Sequence, residues 1–291
     1  MPALAVLLVL VAAVCHSTWN VLLKNEPRRL EMQSGALAVA VLLASPVLFV
    51  YPVGAVSGEG WALVLLSALF ETAYVFSLTA AYATGDLALV YPVARGTAPL
   101  VVAPLAIVIF GERLPASGVL GIVLVVAGIY ASHVGAVRAT SGPTEAPGGA
   151  QGRTALALAV LTGTMTAGYS LVNRAGVRTM PVLLYGVLVI GLNAVLVLIA
   201  RGFQGGLRVS LRRDAPWGRI VVVALLMMTA YLAVLAAMTM APVSYVVAAR
   251  ETSIVVTVAL SALVLREPPS WPRVIGALAT LAGLVVLALS R

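Results

Sequence analysis

Two arginines, Arg95 and Arg250, stand inside long apolar stretches of the sequence, 155 positions apart. A guanidinium is always charged and can hold a carboxylate through two parallel hydrogen bonds. Inside a hydrocarbon layer each would cost roughly 2.5–3.5 kcal/mol on insertion scales, so each is expected to face a cavity or a partner and not lipid. The pair predicts a binding site for an anionic group. The structural alternatives are that the arginines pair with Glu71 and Glu251, or that they extend towards the membrane interface.

Polar and aromatic side chains recur every three or four residues in several of the same stretches. This spacing places side chains on one side of a helix. Such a stripe could line a pathway through a membrane, or its members could bond to neighbouring helices. The residues predicted to bind a small-molecule substrate, beside the two arginines, are Tyr91, Trp19, Asn20, Tyr74, Tyr169 and Asn173.

Three titratable residues are candidates for proton coupling: Glu71, Glu251 and His16. Glu71 lies at the middle of an apolar stretch, where a carboxyl group could load and release a proton. Glu251 follows Arg250 directly, so it could instead be a fixed counter-ion. His16 and His133 have no partners at metal-ligand spacing, so no metal site is predicted. No catalytic residues and no cofactor are predicted either.

Two acidic residues and a set of glycines suggest structural roles. Glu112 and Glu267 lie at the ends of apolar stretches beside Arg113 and Arg266, which favours ion pairs that are solvated or fix a loop. The glycines permit close approach of helices and could form packing or subunit contacts, including those of a homodimer. They are Gly118, Gly121, Gly128, Gly276 and Gly283.

The amino-acid composition is typical of a membrane protein. Of 291 residues, 62% are hydrophobic and 10% charged, whereas soluble domains carry about 25% charged residues. The excess of 18 basic over 10 acidic residues falls mainly in loops, which fits membrane anchoring better than nucleic-acid binding. Ten apolar windows can each cross a bilayer as a helix, because unpaired backbone amides are too costly in lipid. They cover 3–24, 34–53, 60–82, 87–110, 115–136, 154–174, 181–201, 217–240, 243–264 and 271–290.

The ten windows divide into two related halves. Residues 140–152 have the composition of a linker, rich in Gly, Pro, Ser and Thr. Residues 72–74 reappear as 229–231, and the surroundings of Arg95 reappear at Arg250. Because five spans is an odd number, the second copy enters the membrane upside down, an arrangement typical of secondary transporters with a midplane site. The predicted units are residues 1–137, a linker at 138–153, and residues 154–291.

The repeated motifs resemble a known family. Residues 91–100 and 111–113, with their second copies at 249–253 and 266–268, are similar to the two repeats of the EamA family of the drug/metabolite transporter superfamily. Residues 16–24 resemble the opening helix of one bacterial subgroup. The resemblance implies a multi-pass protein of the bacterial plasma (inner) membrane with cytoplasmic termini. The Lys and Arg distribution by itself places both termini outside.

The expected function is secondary transport, in the direction of export, of a small polar or amphipathic metabolite such as an amino acid. Alternating access would move the substrate, with proton coupling as an added feature. The sequence has no Gly-rich phosphate-binding loop with Lys-Ser or Lys-Thr, so a gradient would drive transport. The alternatives are an intramembrane enzyme, or a channel or assembly subunit without a transport cycle.

Overall fold

The computed structural model describes residues 1–24, 29–85, 87–140, 150–203, 216–263 and 270–290. Within these ranges, ten helical segments are long and apolar enough to cross a membrane. The predicted all-α fold with ten spans is confirmed. In chain order the helices are α1 (Ala3–Lys24), α2 (Arg29–Ala44), α3 (Val47–Val50), α4 (Gly58–Thr84), α5 (Leu87–Phe110), α6 (Ala116–Thr140), α7 (Ala150–Thr179), α8 (Val182–Phe203), α9 (Trp217–Met240), α10 (Val243–Arg250), α11 (Ser253–Leu263) and α12 (Trp271–Leu289).

Helix extends into both ends of the predicted linker. α6 continues to Thr140 and α7 begins at Ala150, so the stretch between the helices is shorter than the predicted 138–153. Residues 141–149 lie outside the described part of the chain, as do Arg266 and Glu267. Each half of the chain therefore enters the linker as helix.

Two spans consist of two helices each. The second span breaks at Pro46, which supplies no N–H to continue α2. The ninth span breaks at Glu251 and Thr252, between α10 and α11, although residues 243–264 were expected to form one helix. α5 contains Pro92, Pro99 and Pro104 yet remains one helix. The proline-rich fourth span is thus continuous, and its repeat counterpart is the one that is interrupted.

The helix contacts follow the internal duplication. α4 of the first repeat packs along α7 of the second, and their repeat equivalents, α9 of the second and α1 of the first, pack together in the same way. The contact between α4 and α8 has its repeat equivalent in the contact between α9 and α2. Likewise, the contact between α5 and α7 has its equivalent in the contacts of α10 and α11 with α1. Each repeat therefore packs extensively against the other, as expected of two inverted repeats related by an axis in the membrane plane.

Small residues bring the last helix of each repeat together. α6 and α12 run antiparallel, and a Cβ added at Gly128 or Gly276 would meet the backbone carbonyl of the other glycine. Gly121 and Gly283 are related in the same way about two helical turns further along. These glycines pack two helices of the same chain. A homodimer, if formed, needs another surface.

Candidate functional site

Arg95 lies at the contact between the two repeats. It is eight residues after Leu87 in α5, about 12 Å along the helix axis at 1.5 Å per residue. Its Nη1 atom is 3.2 Å from Glu251 Oε2, and its Nη2 atom is 2.8 Å from His16 Nε2. The guanidinium also lies over the Tyr91 ring, 5.3 Å from the ring centroid. Arg95 of the first repeat is thus held by Glu251 of the second repeat and by His16 on α1.

Glu251 occupies the break in the ninth span. The Glu251 and Thr252 amides donate to the carbonyls of Ala248 and Ala249, three residues back instead of four, so the helix tightens and ends there. Ser17 on α1 contacts the first residue after the break, where its hydroxyl donates to the Ser253 carbonyl at 2.8 Å. Glu251 itself is 1% exposed. The break places a buried carboxylate against the guanidinium of Arg95.

Arg250, the last residue of α10, has a different environment. Its Nη2 atom donates to the Tyr169 hydroxyl at 3.0 Å, and its Cζ atom lies 5.9 Å from the centroid of the same ring. Among the described residues, no carboxylate oxygen lies within 4.0 Å of this guanidinium. Unlike Arg95, Arg250 has a neutral phenol as its polar partner. The two arginines are therefore equivalent in sequence and different in pairing.

His16 acts as an acceptor in this arrangement. Arginine can only donate, so the 2.8 Å contact with Arg95 makes His16 Nε2 the acceptor and requires a neutral ring with hydrogen on Nδ1. The imidazole also meets the edge of Trp19 at a centroid distance of 5.1 Å. Trp19 is half-buried, and Asn20 is exposed with its amide nitrogen donating to the His16 carbonyl at 2.7 Å. Asn20 contacts its own helix and not the arginines.

Tyrosines surround the arginine site. The rings of Tyr74 and Tyr169 meet edge to face at a centroid distance of 6.0 Å, and Tyr91 stacks at a tilt on His133 at 5.1 Å. Tyr74 and Tyr91 are half-buried, and the side chain of Arg95 is 17% exposed. A cationic site with partly exposed aromatic walls can hold an anionic group together with an apolar group. We refer to Arg95, Arg250, Glu251, His16 and these tyrosines as the arginine site.

A second polar cluster lies between α4, α7, α8 and α9. Asn173 Oδ1 accepts from Ser67 Oγ at 2.6 Å and from the Tyr185 hydroxyl at 2.9 Å. Glu71 Oε2 accepts from Asn193 Nδ2 at 3.2 Å. We call this group the Glu71 cluster. Its members are Ser67, Glu71, Thr72, Asn173, Tyr185, Asn193 and Tyr231.

The structure separates some residues that the sequence grouped together. Asn173 was predicted to bind substrate together with Tyr169, but it is 1% exposed and belongs to the Glu71 cluster. Glu71 makes no ion pair with either arginine. Asn193 and Tyr231 were missed by sequence reasoning, although an asparagine in the apolar eighth helix is a recognisable signal.

Glu112 fixes the start of α10 from the first repeat. Its Oε1 accepts from the Val243 amide at 2.6 Å, and its Oε2 accepts from the Ser244 hydroxyl at 2.5 Å. The first amides of a helix lack intrahelical partners, and a carboxylate there also opposes the helix dipole. Glu112 therefore caps a helix of the other repeat, where a solvated or loop-fixing ion pair with Arg113 was expected.

A separate cavity of about 510 Å³ lies at the end of the bundle that holds the N-terminus, and none of the arginine-site residues lines it. Among the residues that line it are Met1, Arg113, Tyr245 and Ser290. The N-terminal ammonium donates to the Ala288 carbonyl at 2.9 Å, which ties α1 to α12 at this end. This cavity is a surface depression beside the first and last residues of the chain.

The fold and the site define a multi-pass membrane protein built from two inverted repeats that share one charged centre. The model of the EamA-like transporter family matches residues 3–133 and again 153–289, and the chain belongs to this family. A solved crystal structure of a protein aligns with a TM-score of 0.74 over 98% of this chain and 96% of its own, at 15% sequence identity, which shows a shared fold. No curated protein sequence matches the chain.

Proposed function

We propose that this protein is a secondary transporter that exports a small polar or amphipathic metabolite, such as an amino acid, across a bacterial plasma membrane. Membership of a transporter family supports the class of protein. The arginine site supports its mechanism, since it draws on α1 and α5 of one repeat and α7 and α10 of the other. Movement of one repeat against the other would change access to such a site from one membrane face to the other.

The pairing of Arg250 is the observation that carries the proposal. Arg95 is neutralised by Glu251 at 3.2 Å, whereas Arg250 donates to the neutral Tyr169 hydroxyl. A substrate carboxylate can replace that phenol and form two parallel charge-assisted hydrogen bonds. Arg250 is therefore the primary anchor for the anionic group. Arg95 and Glu251 form the fixed wall beside it.

The tyrosines select the rest of the substrate. Tyr74 and Tyr169 present ring edges and faces next to Arg250, and Tyr91 covers Arg95. An apolar part of the substrate could pack against the faces of these rings and be removed from water. The tyrosine hydroxyls, at the far ends of the rings, would keep their hydrogen bonds. The expected substrate carries one anionic group and an apolar portion close to it.

Transport by reconstituted protein tests the proposal. Proteoliposomes loaded with a mixture of the common amino acids are expected to take up the labelled mixture by saturable exchange. Arg250→Gln should abolish this exchange. Arg178→Gln is the matched control, because Arg178 is exposed at the end of α7, over the Phe110 ring at 5.5 Å, and should exchange like the unmodified protein.

Three results would contradict this function. Equal exchange by the Arg250→Gln variant would move Arg250 into a structural role. Flux that rises in proportion to concentration without saturation would indicate a channel. Chemical change of the labelled compounds would indicate an enzyme.

A further inference from the structure

The Glu71 cluster contains a carboxyl group that the arginine site does not use. We propose that Glu71 is the reversible proton-binding site of the transport cycle, and that Glu251 and His16 are fixed parts of the arginine site. The proposal rests on the transporter function proposed above and names the group that couples it to a gradient. In each cycle the carboxylate would take up one proton on one side of the membrane and return it on the other.

The hydrogen bonds of Glu71 leave one oxygen free. Oε2 accepts from Asn193 at 3.2 Å, and the Tyr231 hydroxyl and the Asn173 side chain also face the carboxyl group. Oε1 is buried, and no donor reaches it with hydrogen-bonding geometry. The residue is 9% exposed, at the centre of the 27-residue α4. A buried anionic oxygen without a donor is more costly than a neutral hydroxyl in the same place. Binding of a proton removes the charge that the cluster leaves uncompensated.

No basic side chain compensates Glu71 by contact. Among the described residues, no Lys, Arg or His nitrogen lies within 4.0 Å of its carboxyl oxygens. The charged and titratable groups that face it from neighbouring helices are Tyr185 on α8, Tyr231 on α9 and, at longer range, Arg250 on α10. The two tyrosines are neutral, and Arg250 bonds to Tyr169. Proton binding would therefore remove a negative charge that no contacting basic side chain balances.

The other two candidates are held in fixed states by Arg95. Glu251 contacts the guanidinium through both oxygens, at 3.2 and 3.5 Å, so proton uptake would break a buried ion pair. His16 accepts from Arg95 through Nε2, and a proton on that nitrogen would face a donor. Both groups therefore serve to position Arg95.

Two helices connect Glu71 to the substrate site. Tyr74 lies one turn after Glu71 on α4, and its ring packs on Tyr169, the partner of Arg250. On α7, Tyr169 lies one turn before Asn173, which belongs to the Glu71 cluster. A shift of α4 against α7 when Glu71 changes charge would move Tyr169 relative to Arg250. The arrangement gives a direct route by which a proton could alter substrate affinity.

Infrared difference spectroscopy of the protein in lipid bilayers tests proton binding without any substrate. The unmodified protein should show the C=O absorption of a protonated carboxyl that disappears reversibly as pH rises. Glu71→Gln should lose this band, and Glu251→Gln should keep it. If Glu71→Gln does not fold, Glu71→Asp should keep a titrating band at a shifted frequency. Absence of a titrating carboxyl, or a band that survives in Glu71→Gln, would overturn the proposal.

Transport of the labelled amino-acid mixture separates this proposal from the function on which it rests. With a pH gradient, the unmodified protein and Glu59→Gln should accumulate the mixture, and Glu71→Gln should lose accumulation. Glu59 is a matched control because it is an exposed acid in the first turn of the same helix. Exchange that ignores the gradient in the unmodified protein would refute proton coupling and leave the transporter intact. If the mixture is not exchanged at all, the substrate assignment fails, and the infrared titration still decides whether Glu71 binds a proton.

Discussion

Replacement of Arg95 by glutamine should destabilise the protein far more than the same change at Arg250. Arg95→Gln leaves Glu251, which is 1% exposed, as a buried carboxylate without a charged partner. Removal of one member of a buried pair costs roughly 3–5 kcal/mol. The 17% exposure of the Arg95 side chain argues for the lower end, about 3 kcal/mol. Arg250→Gln removes one bond to a phenol and should cost about 1 kcal/mol.

The double variant Arg95→Gln/Glu251→Gln provides the decisive comparison. With both charges removed, two amides of similar shape face each other, and stability should return to within about 1 kcal/mol of the unmodified protein. The double-mutant cycle should therefore show a coupling energy of at least about 2 kcal/mol. Titration with a denaturing detergent, followed by tryptophan fluorescence, measures each free energy of unfolding. Additive effects, or equal losses in Arg95→Gln and Arg250→Gln, would refute the assignment of Glu251 as the partner of Arg95.

The same unfolding titration checks three further features. Glu112→Ala should cost about 1–2 kcal/mol, because the first amides of α10 lose their cap; an unchanged midpoint would remove Glu112 from that role. Gly276→Val should cost about 1–3 kcal/mol or more through collision with α6, whereas Gly191→Ala, which meets nothing within 4 Å, should be neutral or stabilising. If both glycine variants behave alike, the close packing is wrong. His16→Phe should cost about 1–3 kcal/mol, because it leaves an Arg95 N–H without an acceptor. His16→Gln should recover much of this loss. Equal stability of the two variants would contradict a hydrogen bond between Arg95 and His16.

The sequence predicted the ten spans because hydrophobic length is a local property and lipid leaves the backbone no alternative to helix. The duplicated arginines were recognisable for a similar reason, since an intramembrane charge is rare. Their partners were not predictable. Glu251 adjoins Arg250 in sequence, yet the helix break turns its carboxylate towards Arg95 of the other repeat. That contact depends on how the repeats pack and not on spacing along one helix.

Two other differences have the same origin. Both 87–110 and 243–264 were expected to cross as single helices, yet α5 is continuous despite its three internal prolines and the ninth span is interrupted. Glu112 looked like half of a local ion pair with Arg113, whereas its acceptor oxygens cap a helix that begins 131 residues later. Sequence reasoning identified these side chains as exceptional. It could not identify contacts between distant parts of the chain.

Thiol labelling of a cysteine at position 74 tests most directly whether a water-filled site exists at the centre of the bundle. In a Cys15→Ser background, Tyr74→Cys should react with a membrane-impermeant maleimide, because Tyr74 is a half-buried member of the arginine site. Thr280→Cys, at a position with 0% exposure between α6 and α12, should not react and serves as the control. The predicted result is that the cysteine at position 74 reacts, and that the reaction slows when the amino-acid mixture is added. No reaction at position 74 from either side of the membrane would contradict a hydrated central site.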